Sequence, residues 1–213
     1  MIFSKLELGQ AALAPFLGFL VIMQAEEKRF YTPDEYLELE VSSQLRHEYL
    51  DGVVIPMTGG TPEHNEIVSI LNAALRVSLK GQPYSIFASD QRLWIPDRQL
   101  YTYPDVMVVP RPLARQTGRS DTLTNPVMIA EVLSKSTKSY DRDEKFAAYR
   151  TIPTFQEYLL IDQYTLHVEQ YSRTDSVRWV FTEYDQAEAH IRLASLPFEM
   201  RLADLYEGIE LEG

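Results

Sequence analysis

Two carboxylates and a lysine are the residues best placed to do chemistry together. Glu131 sits in the middle of the apolar run Ile129-Ala130-Glu131-Val132-Leu133. Burying a carboxylate there is costly unless a solvated face, a basic partner or a metal ion compensates its charge. The apolar neighbours disfavour a solvated face, which leaves a structural ion pair or a metal-ligating role. Asp105 follows Pro104 and precedes Val106-Met107-Val108-Val109, so it opens or lies within a second buried strand. Taken alone, Pro-Asp is also an ordinary turn pair. Two carboxylates meeting at the ends of adjacent strands repel each other, and a bound Mg²⁺ or Mn²⁺ would relieve the repulsion. Lys145 lies on the helix expected next. One role for it is a simple i, i+4 pair with Asp141, in a segment where Asp141 and Glu144 resemble a capping box. The other is to face the carboxylates and offset charge building on a phosphate.

Composition narrows the metal chemistry. The 213 residues include no cysteine, which excludes thiolate metal sites and a disulfide framework. No two of His47, His64, His167 and His190 are three or four residues apart, so a histidine-based zinc site has little support. The expected ion is a hard cation held by oxygen. The net charge of −11 argues against non-specific nucleic-acid binding over the whole surface, because phosphate contacts need Lys and Arg. Residues 111–150 run the other way, with eight basic and five acidic side chains. Arg111, Arg115, Lys135, Lys138 and Arg142 are the DNA-contact candidates in that stretch, whose bland alternative is a solvated basic face.

The elements that must position these groups follow from pattern. Thr32-Pro33-Asp34-Glu35 reads as a capped helix start. Glu48 to Met57 reads as a hairpin turning at Asp51-Gly52. From His64 to Lys80, apolar residues at Ile67, Ile70, Leu71, Ala74, Leu75 and Leu79 mark an amphipathic helix. Tyr84–Ile95 and Leu100–Val109 each read as a strand, with Pro104 marking an edge, a bulge or a strand start. Met128–Leu133 and Glu157–Asp162 read as buried strands, with a helix over Asp141–Arg150 between them. Segments at Thr165–Tyr171, Val177–Tyr184 and His190–Leu193 suggest an antiparallel meander. Leu202–Tyr206 suggests a last helical turn. The order fits a mixed α/β or α+β domain.

Residues 1–23 differ in character. Ala11–Met23 is almost wholly apolar but too short to span a bilayer, which takes about 20 residues. Met23 is the expected native start, with residues 1–22 coming from upstream sequence; the expected domain division is a non-native or disordered extension over 1–23 and one domain over 24–213. The expected location is cytoplasmic, with no membrane partner.

The segments Tyr103-Pro104-Asp105-Val106, Asn125-Pro126-Val127, Glu131-Val132-Leu133-Ser134, Tyr140-Asp141, Lys145-Phe146-Ala147-Ala148-Tyr149 and Glu157-Tyr158 closely resemble the Uma-two family. Upstream, Glu48-Tyr49, Asp51-Gly52 and His64-Asn65 extend the match, which covers roughly Phe30 to Glu207. These are bacterial restriction-endonuclease-like proteins of the PD-(D/E)XK nuclease superfamily. The resemblance implies a mixed-sheet nuclease core flanked by helices, with Asp105 and Glu131 as acidic ligands of Mg²⁺ or Mn²⁺. The superfamily pattern places a lysine two positions after the acidic residue, where this chain has Leu133. Lys145 is the expected substitute, with Lys135 and Lys138 as fallbacks. Glu48, His64 and Asp141 are supporting candidates, and Gln91 a weaker one.

The activity implied is hydrolysis of DNA phosphodiesters, with a homodimer expected because cutting both strands takes two active sites. The rival is a nuclease-fold DNA-binding or protein-interaction module without cleavage, favoured by Leu133 and the acidic charge. A metal-dependent hydrolase acting on RNA or nucleotides is a third reading.

Overall fold

The structure, a computed structural model, describes residues 29–211. The expected N-terminal extension lies outside the described residues. Two helices start on the same local chemistry. Thr32 caps α1 (Pro33–Ser42) in a complete capping box with Glu35, and Thr61 caps α2 (Pro62–Ser78) through the His64 N–H. In both, proline at the first helical position supplies a preset φ and lacks the N–H that would be left unpaired. The second helix therefore starts two residues earlier than its apolar spacing suggests.

The strands form two main sheets. The smaller has five, in the order β2 (Val53–Pro56), β1 (His47–Leu50), β5 (Leu100–Thr102), β4 (Arg92–Ile95) and β7 (Thr122–Leu123). The larger has six: β11 (Trp179–Tyr184), β10 (Val168–Arg173), β9 (Glu157–Asp162), β8 (Met128–Leu133), β6 (Val106–Pro110) and β3 (Tyr84–Ala88). Only β8 and β9 run parallel there. They are joined across the sheet by one helical stretch made of α3 (Lys138–Tyr140), a π-helical turn (Asp141–Lys145) and α4 (Phe146–Tyr149). A crossover of this kind is what parallel neighbours require.

Two segments read as single strands are in fact pairs. Tyr84–Ile95 splits into β3 and β4, and Leu100–Val109 into β5 and β6, with the members of each pair in different sheets. The chain thus passes between the sheets at residues 89–91 and again at 103–105. The first passage puts Ser89 at φ +53°, and its N–H donates to the Asp105 carbonyl of the second at 3.0 Å. Pro104 marks a strand start, since it cannot donate to a ladder. The meander is also shorter than expected. β9, β10 and β11 form it, whereas β12 (His190–Arg192) pairs with β13 (Glu199–Arg201) in a separate ribbon ahead of α5 (Leu202–Leu205).

Side chains alternate across the large sheet. Val106, Val108, Met128, Ala130, Val132, Leu159 and Ile161 pack toward α2 and α5. Met107, Val109, Ile129, Leu133, Tyr158 and Leu160 pack with Leu93, Ile95 and Leu100 of the small sheet and with Tyr149 of α4. Glu131 shares the second face, so its carboxylate enters the layer between sheet, sheet and helix. A tyrosine cluster of Tyr36, Tyr49 and Tyr101 closes the small sheet against α1.

Because α2 carries His64, its seating matters to the site. Leu71 is fully buried in that seat. Leu71→Ala is expected to lower unfolding free energy by about 2–5 kcal/mol in urea titration with an unchanged m value. A loss below about 0.5 kcal/mol would place the core elsewhere.

Candidate active site

The register of β6 and β8 brings the two carboxylates together. Val106 lies opposite Ala130, so Asp105 is level with Glu131 at the end of the ladder. Each is held by the other's strand: the Asp105 N–H donates to Glu131 Oε2 (3.1 Å), and the Val132 N–H donates to Asp105 Oδ2 (2.8 Å). His64 adds Nε2 at 3.1 Å from the same Asp105 oxygen. It can approach because residue 60 is glycine, where a Cβ would stand 2.6 Å from His64 Nδ1.

Lys145 comes in from the π-helical turn. Its Nζ lies 3.1 Å from Glu48 Oε1, 3.1 Å from Asp141 Oδ1 and 3.4 Å from Glu131 Oε1. Glu48 reaches it from β1, fixed by a 2.5 Å hydrogen bond from the Thr102 hydroxyl on the neighbouring strand. The wide turn has an identifiable cause. The Tyr158 hydroxyl from β9 donates to the Asp141 carbonyl at 3.0 Å. A side chain inserted into the helix ladder opens it, and such bulges recur at functional sites. The three catalytic candidates (Asp105, Glu131 and Lys145) and the three supporting ones (Glu48, His64 and Asp141) therefore converge on one cluster, in which Asp105 and His64 are partly buried and the others buried.

The electrostatics follow from burial. Burial first of all, then the neighbouring Asp105 and Asp141 carboxylates, push the Glu131 carboxyl up to about 8 against the opposing pull of Lys145 and Tyr149. Burial opposes the charge on Lys145, but Glu131, Glu48 and Asp141 together hold its ammonium well above the usual lysine range. Burial is likewise the largest influence on His64 and disfavours its charge, but the hydrogen bond to Asp105, the charges of Asp105 and Glu131 and a hydrogen bond to Asn65 together outweigh it and raise the imidazole above its ordinary value. Two buried polar atoms at the margin, His64 Nδ1 and the Tyr140 hydroxyl, have no partner. The Tyr140 ring lies 5.5 Å from Lys145 Nζ. An excess of hard oxygen donors over cations, with polar atoms left unmatched, is a chemistry that fits a divalent cation such as Mg²⁺ or Mn²⁺.

The basic candidates divide. Lys135 and Lys138 stand just past the end of β8, close beyond Glu131. Lys135 lies over the Tyr164 ring at 4.5 Å, and Lys138 faces Asp162 at 3.4 Å with its side chain half exposed. Arg142 is committed to both oxygens of Glu169 at 3.1 Å. Arg111 follows the far end of β6 from Asp105, roughly 20 Å away at strand rise, and bonds Ser85. Arg115 bonds the Ser120 carbonyl, and Gln91 the Asp121 carbonyl, and neither bonds Asp105 or Glu131. The missed member of the cluster is Tyr149, whose hydroxyl donates to Glu131 Oε1 at 2.6 Å. Its signal was the spacing of four from Lys145, which stacks both on one helix face. Among the described residues, one His/Glu trio offers ligand atoms mutually within 4.8 Å: His167, Glu169 and Glu183. There Arg142 already neutralises Glu169.

The Uma2 family model, described as "Putative restriction endonuclease", matches residues 33–204. The chain belongs to the Uma2 family. Two uncharacterized Synechocystis proteins are similar to this Uma2 chain: sll1609 is 38% identical over 173 residues, covering 81% of this chain and 98% of that one. The second, slr1290, is 34% identical over 178 residues, covering 84% and 92%. A crystal structure of a "putative nuclease belonging to DUF820" from Anabaena variabilis superposes with a TM-score of 0.70 at 20% identity, over 84% of this chain and 99% of that one. The fold of this Uma2 chain is thus the mixed α/β fold of that protein. No helix among the described residues is long and apolar enough to cross a membrane.

The Glu131 carboxyl gives a stability test. Its folded pKa lies above its ordinary 4.5, so between that value and about 8 the native state holds a proton that the unfolded chain has lost. Stability supplied by that proton is full below the lower value and is lost as pH rises through the window. In chelated buffer, the stability of wild type relative to Glu131→Gln is expected to fall between pH 5 and 8 and then level off. A pH-independent difference in denaturant titrations would contradict the assignment.

Proposed function

We propose that this Uma2 chain is a metal-dependent endonuclease that hydrolyses DNA phosphodiester bonds at the Asp105–Glu131 site. The observation that carries the reading is the gathering of Glu48, Glu131 and Asp141 around a single ammonium in a largely buried layer, with Asp105 joined to Glu131 through its N–H. Asp105 and Glu131 would hold Mg²⁺ or Mn²⁺, which in such a site polarises the scissile phosphate and lowers the pKa of a bound water. Water adds to phosphorus, one P–O bond breaks, and the products are a phosphate end and a hydroxyl end.

The protein groups have separate tasks. Lys145 stays protonated in its carboxylate cage, so it acts as a fixed positive charge for the developing phosphorane and not as a base. Glu48 and Asp141 hold it in place. His64 fixes the orientation of Asp105. Lys135 and Lys138, just beyond Glu131, are the groups best placed to contact flanking phosphates, giving affinity without base readout. The commitment of Arg142 to Glu169 and the distance of Arg111 leave them structural tasks. Cleavage of both strands of a duplex would call for two copies of this site, and so for a homodimer.

The test is supercoiled-plasmid cleavage with Mg²⁺ or Mn²⁺. Wild type is expected to nick or linearise the plasmid. Asp105→Asn and Glu131→Gln are expected to abolish cleavage, and Lys145→Ala to slow it by roughly 10²–10³-fold, as for loss of one preorganised charge. Folded wild-type protein that leaves the plasmid intact with both metals would point instead to a non-cleaving binding module.

A further inference from the structure

We infer that Tyr149 is a positioning residue that makes Glu131 a one-oxygen ligand. This rests on the metal-site reading above and adds to it a residue whose part no motif assigns. The Tyr149 hydroxyl donates to Glu131 Oε1 at 2.6 Å, and Lys145 Nζ approaches the same oxygen at 3.4 Å. Glu131 Oε1 is therefore occupied from the helix side by two donors. Glu131 Oε2 faces the other way, toward Asp105, whose N–H it accepts at 3.1 Å. With one donor on Oε2 against two on Oε1, Oε2 is the oxygen that keeps a lone pair to offer on the Asp105 side.

The hydroxyl is well suited to this task because it cannot swing. Tyr149 is fully buried, with its ring edge-on to Tyr158 (centroids 5.4 Å, 74°) and tilted against Phe155 (5.8 Å, 55°). It follows Lys145 by one helical turn, so the two donors reach Glu131 from successive turns of one face. The simpler account is that a buried tyrosine needs some acceptor for its hydroxyl. That account predicts a loss of stability on removing the oxygen and nothing else. A ligand-orienting partner predicts a change in metal affinity, commonly 10–100-fold.

Tyr149→Phe separates the two, since it keeps the ring and its packing and deletes a single oxygen. Tyr206→Phe is the matched control. It deletes another buried hydroxyl, which serves the Asp162 and His167 carbonyls and does not touch Glu131. Mn²⁺ binding to the full metal-free chain is read by isothermal titration, with the electron paramagnetic resonance spectrum of the bound ion as the second readout. Tyr149→Phe is expected to weaken Mn²⁺ binding at least 10-fold and to change the spectrum, while Tyr206→Phe retains wild-type affinity. Wild-type affinity and spectrum in Tyr149→Phe, with only a lowered Tm, would overturn the inference alone. Wild-type protein that binds no Mn²⁺ would overturn the metal reading along with it.

Discussion

A carboxylate in the middle of a central strand has to be reconciled with the apolar layer around it, and the site is arranged around that requirement. Glu131 lies on the face that packs between the two sheets and the crossover helix, where solvation is largely lost. Its oxygens are met by the N–H of Asp105 just ahead of β6, a hydroxyl from α4 and an ammonium from the π-helical turn. Removing one member would leave a buried charge unmatched, a far larger penalty than the net worth of any one contact. The group is therefore a single unit supplied by three different parts of the chain.

The same principle runs laterally across the large sheet. Glu131 is level with Leu160 on β9, Leu160 with Glu169 on β10, and Glu169 with Glu183 on β11. Directly opposed like charges destabilise a ladder. The crossover helix answers the row with two cations spaced by three, Arg142 on Glu169 and Lys145 on Glu131. Helix and sheet are joined there by charge as well as by the aromatic packing of Phe146 against Tyr158 and Tyr171.

Much of this was legible in the chain. A charged residue interrupting Ile129–Leu133 signals its own importance, because burial of charge is rare without a reason. The Thr-Pro starts, the apolar periodicity of α2 and the buried strands β8 and β9 were readable from local pattern. What could not be read was the passage between sheets at Ser89–Gln91 and Tyr103–Asp105. A continuous apolar run looks alike whether it stays in one sheet or changes to another, since alternation records burial and not partners. The π-helical turn was hidden for a related reason: its cause is a hydroxyl thirteen or more residues away on β9. Residues 111–150 looked like one basic surface, yet the fold scatters their side chains, because sequence neighbours at opposite ends of a strand are not neighbours in space.

The two passages between sheets are each three residues long and are tied to each other by the Ser89–Asp105 hydrogen bond. Lengthening either by one residue would shift the β6 register and turn every side chain on that strand to the opposite face. Asp105 would leave Glu131 in the same stroke. The segment from Arg111 to Asp121 is under no such restraint, since it joins β6 to a two-residue strand in the other sheet over the surface. Within this architecture, insertions and deletions can accumulate in that loop and in the Thr174–Arg178 hairpin tip, leaving the carboxylate pair untouched. Length variation along the chain is thereby channelled to the places where it changes the outline of the molecule without disturbing its chemistry.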